Sequence, residues 1–121
     1  MSEFKRHNFK KLKIWQMSME LSKMILDLTD TFPISEKYGL KSQMDRCCIS
    51  IPSNIAEGSS RTDKSFSHFL DISLGSSFEL QTQIILANHK KYITNEISNS
   101  IETKIEEFQR ATMSFQNILN K

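Results

Sequence analysis

The sequence predicts an all-α protein, an antiparallel up-down-up-down four-helix bundle, and three observations support this prediction. Apolar residues recur at spacings of three or four in four successive segments, which is the period of an amphipathic helix. No segment alternates apolar and polar residues with period two, as a half-buried strand does. Glycine or proline marks the break after the first segment, at Pro33 and Gly39, and after the second, at Gly58.

Start signals place two of the four helices along the chain and leave a third ambiguous. A threonine followed by an acidic residue begins the third helix, at Thr62 and Asp63, and the fourth helix begins in the same way at Thr94 and Glu96. The second helix has two start signals, one near residue 35 and one near residue 41, and the sequence does not decide between them. Because the connections are short, the helices should pack antiparallel. The predicted bounds, good to ~2–4 residues, are 10–32, 36–59, 63–89 and 95–120.

The apolar stripes also predict which residues form the core. The core positions expected are Leu21, Leu28, Met44, Ile51, Ile55, Leu70, Ile84, Ile101, Phe108 and Phe115. The first helix carries a second apolar face, made of Trp15, Met19 and Leu26. A helix that is apolar over so wide an arc is either central in its own fold or buried by another chain. Since the domain is small, we expect self-association through these three residues.

Length and charge divide the chain into a basic arm, residues 1–9, and a single bundle domain, residues 10–121. A chain of 121 residues fits one compact domain. Residues 1–13 have a net charge of +4, whereas the rest of the chain is mildly acidic. Such an arm is typical both of a phosphate-contacting tail and of a solubilising terminus, and both interpretations stay open. The candidate nucleic-acid contacts are Lys5, Arg6, Lys10, Lys11 and Lys13.

Residue spacing argues against an enzyme, a metal site or a bound cofactor. His7, His68 and His89 are widely separated, and no His or Cys lies at ligand spacing from another on one helix face. No glycine-rich loop is present to cradle a phosphate, since Gly58 stands alone at a helix end and is interpreted as its cap. We therefore expect no catalytic residue, no metal and no cofactor.

Cysteine usage and the apolar runs indicate a cytoplasmic protein without membrane contact. The two cysteines, Cys47 and Cys48, are adjacent, which is not a disulfide framework, and we expect buried, unreactive thiols. The longest apolar run is 84–87, far shorter than the ~20 residues of a membrane-spanning helix. The basic start of the chain lacks the apolar stretch of a signal peptide.

Residues 50–58, with the sequence SIPSNIAEG, are unusual because a proline lies inside a predicted helix. Pro52 cannot donate a hydrogen bond to the Cys48 carbonyl, which costs ~3 kcal/mol unless another group compensates. The facing segment is expected to be 73–77, the only glycine-containing stretch inside the third helix. The groups expected to satisfy one another and the freed carbonyl are Ser50, Asn54, Ser73 and Ser77.

Charged residues around the proline are interpreted as structural. Arg46 is expected to form an ion pair with Glu79 or Glu57. The residues assigned to this structural motif are Arg46, Ser50, Pro52, Asn54, Glu57, Gly58 and Glu79.

The proline segment and its neighbours together carry a family resemblance. The ordered residues are Leu12, Trp15-Gln16, Phe32-Pro33, Glu36, Tyr38-Gly39-Leu40, Gln43, Arg46, residues 50–58, Phe69-Leu70, Gly75-Ser76 and Glu79-Leu80. In this pattern, residues 9–120 resemble the four-helix-bundle proteins encoded in intervening sequences of bacterial 23S ribosomal RNA genes. The resemblance implies a homopentameric ring without known catalysis. More distantly, the chain is similar to the accessory protein of diversity-generating retroelements, which binds nucleic acid and a reverse transcriptase.

The sequence departs from the family pattern at two places. Cys47 and Cys48 stand where the family usually has two alanines, which are also small. Lys90 and Lys91 stand where the family has a Leu-Gly pair, which adds positive charge before the fourth helix.

Two classes of function stay open at this point. The first, which we predict, is a nucleic-acid-binding ring whose repeated basic patches act together on RNA or DNA. The second is a protein-interaction scaffold that recruits another protein and makes no contact with nucleic acid. In both cases the chain also binds copies of itself.

Overall fold

The computed structural model describes residues 7–121 and contains four α-helices. They are Lys13–Thr29 (α1), Leu40–Ser59 (α2), Asp63–His89 (α3) and Asn95–Leu119 (α4). Single turns of 3-10 helix cover Phe9–Lys11 and Ile34–Glu36, and the described part of the chain contains no strand. The helices pack in chain order, and the predicted all-α four-helix bundle is confirmed.

The first helix is shorter at both ends than predicted. It begins at Lys13 because the side chain of Asn8 caps a separate single turn, after which Leu12 adopts an extended backbone with ψ of 126°. It ends at Thr29, and the next residues form turns toward Pro33, whose ring disfavours helical backbone just before it.

The start of α2 resolves the ambiguity in the sequence. The helix begins at Leu40, four residues later than the predicted bound. The Glu36 carboxylate accepts a hydrogen bond from the Leu40 backbone N–H at 3.0 Å and so caps the helix from the preceding turn. The threonine caps of α3 and α4 are confirmed, since Thr62 and Thr94 each accept a backbone hydrogen bond from three residues ahead.

Eight of the ten predicted core residues are buried, and Leu28 and Phe115 are half-buried. Leu28 lines an open groove of about 520 Å³ between α1 and α4, which also involves Met24 and Ile97. Helices α1 and α4 are thus less closely packed there than the predicted bundle suggests. Within residues 7–121, no helix is both long enough and apolar enough to cross a membrane.

The antiparallel arrangement gives the bundle two distinct ends. One, which we call the arm end, consists of residues 7–13, 57–64 and 118–121, where α1 and α3 begin and α2 and α4 end. The other, the opposite end, consists of residues 27–45 and 88–96.

Candidate functional site

The basic arm is docked on the bundle from His7 onward. The His7 backbone N–H donates to the Ser59 carbonyl at 3.1 Å. Its ring packs against Phe66 and Phe115, with centroid separations of 5.2 and 6.1 Å, and its Nε2 atom lies 3.7 Å from the Asp63 carboxylate. Contacts to α2, α3 and α4 therefore hold His7 in place on the bundle.

From the end of the arm, the chain follows a fixed path to the start of α1. Phe9 packs edge-on against Trp15 at a centroid distance of 5.3 Å, and the Gln16 side-chain amide donates to the Lys10 carbonyl at 2.9 Å. Three of the five predicted nucleic-acid contacts are exposed on this ordered backbone, namely Lys10, Lys11 and Lys13. The other two, Lys5 and Arg6, lie outside the described residues.

Other chain segments add positive charge to the arm end. Its exposed basic residues are Lys10, Lys11, Lys13, Arg61, Lys64 and Lys121. Only two acidic residues belong to it, and one of these, Glu57, lies 3.4 Å from the Arg61 guanidinium. The arm end therefore presents an excess of positive charge assembled from residues 10–13, from Arg61 and Lys64 around the start of α3, and from Lys121 after the end of α4.

At the opposite end, one lysine forms ion pairs with two acidic residues of the same chain. Lys41 bridges Asp30, at 3.1 Å, and Asp45, at 2.9 Å. Hydrogen bonds first to Asp45 and then to Asp30 raise the pKa of Lys41, so its charge is held at this site.

The same end also holds a glutamate that joins two loops. The Tyr92 hydroxyl donates to the Glu36 carboxylate at 2.6 Å, across 56 residues of sequence. This hydrogen bond, followed by the one from the Leu40 N–H, lowers the pKa of Glu36. The Glu36 hydrogen bond in turn raises the pKa of Tyr92.

The proline in α2 is compensated by a residue from another helix than predicted. The Cys48 carbonyl, which Pro52 cannot bond, accepts a hydrogen bond from the Ser22 hydroxyl of α1 at 2.7 Å. The expectation that Ser50, Asn54, Ser73 or Ser77 would satisfy this carbonyl is therefore wrong. Sequence analysis did not identify Ser22, because it lies 26 residues from Cys48 in sequence and only the apolar residues of α1 were interpreted.

The predicted polar residues around the proline form two smaller sets of contacts. Asn54 donates to the Ser50 carbonyl at 2.8 Å and to its hydroxyl at 3.0 Å, and Ser50 shares a hydrogen bond with Ser76 at 2.9 Å. Separately, Ser73 donates to the Ile51 carbonyl at 2.9 Å. Ser77 does not join either set, because its hydroxyl donates to Leu74 within α3.

Gly58 is not the helix cap that the sequence predicted, because α2 continues to Ser59 and its cap residue is Ser60. It has a packing role that the sequence interpretation missed. A Cβ atom at this position would lie 2.7 Å from the Phe69 Cβ and 2.8 Å from a ring carbon of Phe66. The absence of a side chain thus allows α2 and α3 to approach closely just beside the docked arm.

The remaining charged members of the motif do not pair as expected. Within the described residues no ion pair of 4 Å or less joins Arg46 to Glu79 or to Glu57. Both Arg46 and Glu79 line a polar depression of about 320 Å³ between α2 and α3, together with Ser50 and Ser76.

The two cysteines are buried between the helices. Burial raises the pKa of Cys47 and of Cys48 to about 12. The Cys47 thiol donates to the Ser76 carbonyl at 3.0 Å and the Cys48 thiol to the Asp45 carbonyl at 3.2 Å. Neither thiol is poised for nucleophilic chemistry. In the part of the chain that the structure describes, no three His, Cys, Asp or Glu side chains are grouped as metal ligands.

The three predicted oligomer contacts line a single groove. Trp15, Met19 and Leu26 form the α1 side of a groove of about 310 Å³, and Ile49 and Pro52 are among the residues that form its α2 side. We call this surface the α1–α2 groove. The three predicted residues thus lie on one surface, to which Pro52 also belongs.

A second exposed apolar surface was missed by the sequence analysis. Ile72, Phe78, Ile85 and Leu86 are each 41–52% exposed along α3. We call this surface the outer face of α3. The signal was present, because apolar residues occur all around the third helix and not only on the stripe assigned to the core.

Comparisons with known proteins bear on the whole bundle. The family model described as 23S rRNA-intervening sequence protein matches residues 10–114. Among solved structures, the chain is similar to a protein of unknown function from the S23 ribosomal protein family of Bacteroides thetaiotaomicron. The TM-score is 0.78 and the identity 24%, over 89% of this chain and 96% of that chain, which shows a shared fold. A search of curated proteins found no match.

Proposed function

We propose that this chain, which belongs to the family of 23S rRNA-intervening sequence proteins, is a non-catalytic protein of the bacterial cytoplasm that binds RNA or DNA as a homopentameric ring. The number of subunits and the lack of catalysis rest on the family resemblance. The proposed contact is the arm end, and its ligand is the phosphate backbone.

The observation that carries this proposal is the docked arm. Because His7 and Phe9 are packed against the bundle, Lys10, Lys11 and Lys13 start from a fixed backbone and not from a free tail. Fixing the backbone in advance lowers the entropy cost when the lysines bind phosphates. Copies of this surface around a ring would act together, since the second and later contacts are intramolecular.

The packing of the arm also indicates what is recognised. The Phe9 and His7 rings are used against Trp15, Phe66 and Phe115, so they are not free platforms for stacking bases. The exposed groups are lysines and an arginine, which neutralise phosphates without distinguishing base pairs. Binding is therefore expected to depend strongly on salt and weakly on sequence.

Fluorescence anisotropy with a short labelled RNA duplex, and with DNA of the same sequence, tests the proposal. The wild-type protein should bind both at low salt, with a log–log slope of affinity against salt of about −0.9 per phosphate neutralised on a duplex. Replacing Lys5, Arg6, Lys10, Lys11 and Lys13 by glutamine should abolish most of this binding. Binding by that variant with an unchanged slope would refute the arm as the contact.

A scaffold for another protein is the second candidate, favoured by one observation. Ile34 and Tyr38 at the opposite end are 90% and 87% exposed, which is unusual for large apolar side chains that lie close together in sequence. If the wild-type protein binds neither nucleic acid even at low salt, this second function becomes the better account.

A further inference from the structure

Two apolar surfaces of this chain are left uncovered by the described residues, and they differ in shape. The α1–α2 groove is concave, with Trp15 and Met19 on one wall and Ile49 on the other. The outer face of α3 is a ridge on a single helix, on which Phe78 and Leu86 are about half exposed. Uncovered apolar area of this kind marks contact surfaces.

A glycine on the ridge has no packing role among residues 7–121. Gly75 lies in the middle of α3, where glycine is less favourable than any other residue except proline. A Cβ atom placed on Gly75 would meet nothing within 4 Å, whereas one on Gly58 would overlap Phe69. Gly58 is thus explained by packing between α2 and α3, whereas no contact of the described residues accounts for Gly75, and a glycine at this position leaves room for the backbone of a second copy to approach closely.

The charges beside the two surfaces are complementary. Lys23 lines the groove and is exposed, with its ammonium 3.6 Å from the exposed carboxylate of Glu20. Glu79, exposed beside Gly75, takes part in no ion pair of 4 Å or less within the described residues. A lysine beside the groove can therefore meet a glutamate beside the ridge.

We propose that the subunits join head to tail, with the outer face of α3 of one copy seated in the α1–α2 groove of the next. The inference rests on the proposed self-assembly and assigns its contact. Because the groove and the ridge belong to different helices, one copy can use both at once. A contact between two different faces generates a ring or an open chain of subunits, unlike a symmetric dimer contact.

Engineered cysteines test the pairing of the two faces. The variants are Met19→Cys in the groove, Phe78→Cys on the ridge, and the double variant, each oxidised and run on a non-reducing gel. Cys47 and Cys48 are buried with raised pKa values and should remain outside the reaction. The double variant should give a ladder of covalently joined subunits, and each single variant should stay a monomer on the gel.

Charge substitutions test the same contact without cross-linking. Phe78→Glu should reduce the mass in light scattering toward the 14.1 kDa of one chain while the helical circular dichroism signal is kept. Gly75→Leu should also impair assembly although it improves helix propensity. Ile118→Glu is the matched control, because Ile118 is 66% exposed on α4 and should not alter the assembly.

The outcomes separate this inference from the proposed self-assembly. A wild-type protein that is monomeric at micromolar concentration would overturn both. An oligomer that withstands Phe78→Glu and gives no ladder in the double variant would overturn the head-to-tail contact alone. Cross-linking of either single variant with itself would show a symmetric contact and would likewise overturn the inference.

Discussion

The two ends of the bundle both contain lysines. At the opposite end acidic residues are about as numerous as basic ones, whereas at the arm end basic residues are in clear excess. The arm end has six basic and two acidic residues, whereas the opposite end has four basic and five acidic residues. At the opposite end Lys41 bridges Asp30 and Asp45. At the arm end Lys10, Lys11 and Lys13 form no ion pair of 4 Å or less within residues 7–121.

This difference shows where charge stabilises the fold and where it is available to a ligand. At the opposite end, charged groups connect loops, as Glu36 does when it caps α2 and binds Tyr92. At the arm end, packing holds the backbone through His7 and Gly58, so the charges are not required for the fold. Net charge alone, which is only +2 for the chain, would not reveal this division.

Ser22→Ala is the substitution expected to weaken the bundle between the two ends most. It leaves the buried Cys48 carbonyl without the bond that compensates for Pro52. The expected loss is about 1–3 kcal/mol of unfolding free energy, measured by urea denaturation. Ser53→Ala is the control, because Ser53 is exposed and bonds only within α2. Equal stability of the two variants would show that the Ser22 hydroxyl does not compensate for Pro52.

Glycine substitutions at the two ends are expected to have unequal effects on stability. Gly58→Ala should lower stability by about 1–2 kcal/mol, because the new methyl group overlaps Phe69 and Phe66 and this outweighs the gain in helix propensity. Gly39→Ala should cost less, because its methyl group displaces only the Glu36 carboxylate at the end of a flexible side chain, so the loss is limited to the hydrogen bond that caps α2 at Leu40. If Gly39→Ala proves the more damaging in thermal melts, close helix packing is not what distinguishes the arm end.

Lowering the pH is expected to have a smaller effect on stability, through Glu36 at the opposite end. Since the pKa of Glu36 is lowered in the folded state, its contribution is complete above the ordinary glutamate pKa of ~4.3 and disappears as pH falls through the lowered value. Tyr92→Phe removes the main cause, so the variant should be less stable than wild type at neutral pH. The difference between the two proteins should shrink in acid.

Tyr38→Phe provides the control for this measurement, because Tyr38 is almost fully exposed. Urea denaturation of the three proteins at several pH values gives the comparison. A difference between Tyr92→Phe and wild type that does not change with pH would show that the Tyr92 hydroxyl acts independently of Glu36 ionisation.

Local sequence signals predicted the helices well, and contacts between distant residues account for what they missed. The caps at Thr62 and Thr94 involve residues three apart, which a local pattern can reveal. The start of α2 depends on Glu36, whose carboxylate is oriented by Tyr92 56 residues later. Such a pairing has no local signature.

The surfaces were predicted unevenly for the same reason. Trp15, Met19 and Leu26 were found because an extra apolar face on one helix is visible in its periodicity. Docking of the arm was not predicted, because His7 contacts residues of three different helices. The outer face of α3 could have been predicted had all apolar residues of that helix been assigned to faces.

A matched pair of triple variants tests whether the arm end is the contact for nucleic acid. One replaces Lys10, Lys11 and Lys13 by glutamine, and the other replaces Lys37, Lys90 and Lys91, which are also exposed but lie at the opposite end. Both remove the same charge, and affinity for a short RNA duplex is measured against salt. We predict that the arm-end variant binds about tenfold or more weakly, with a slope shallower by about 0.9 for each phosphate that is no longer neutralised, and that the opposite-end variant matches wild type. Equal weakening of both variants would contradict the account, because binding would then follow net charge and not the arm end.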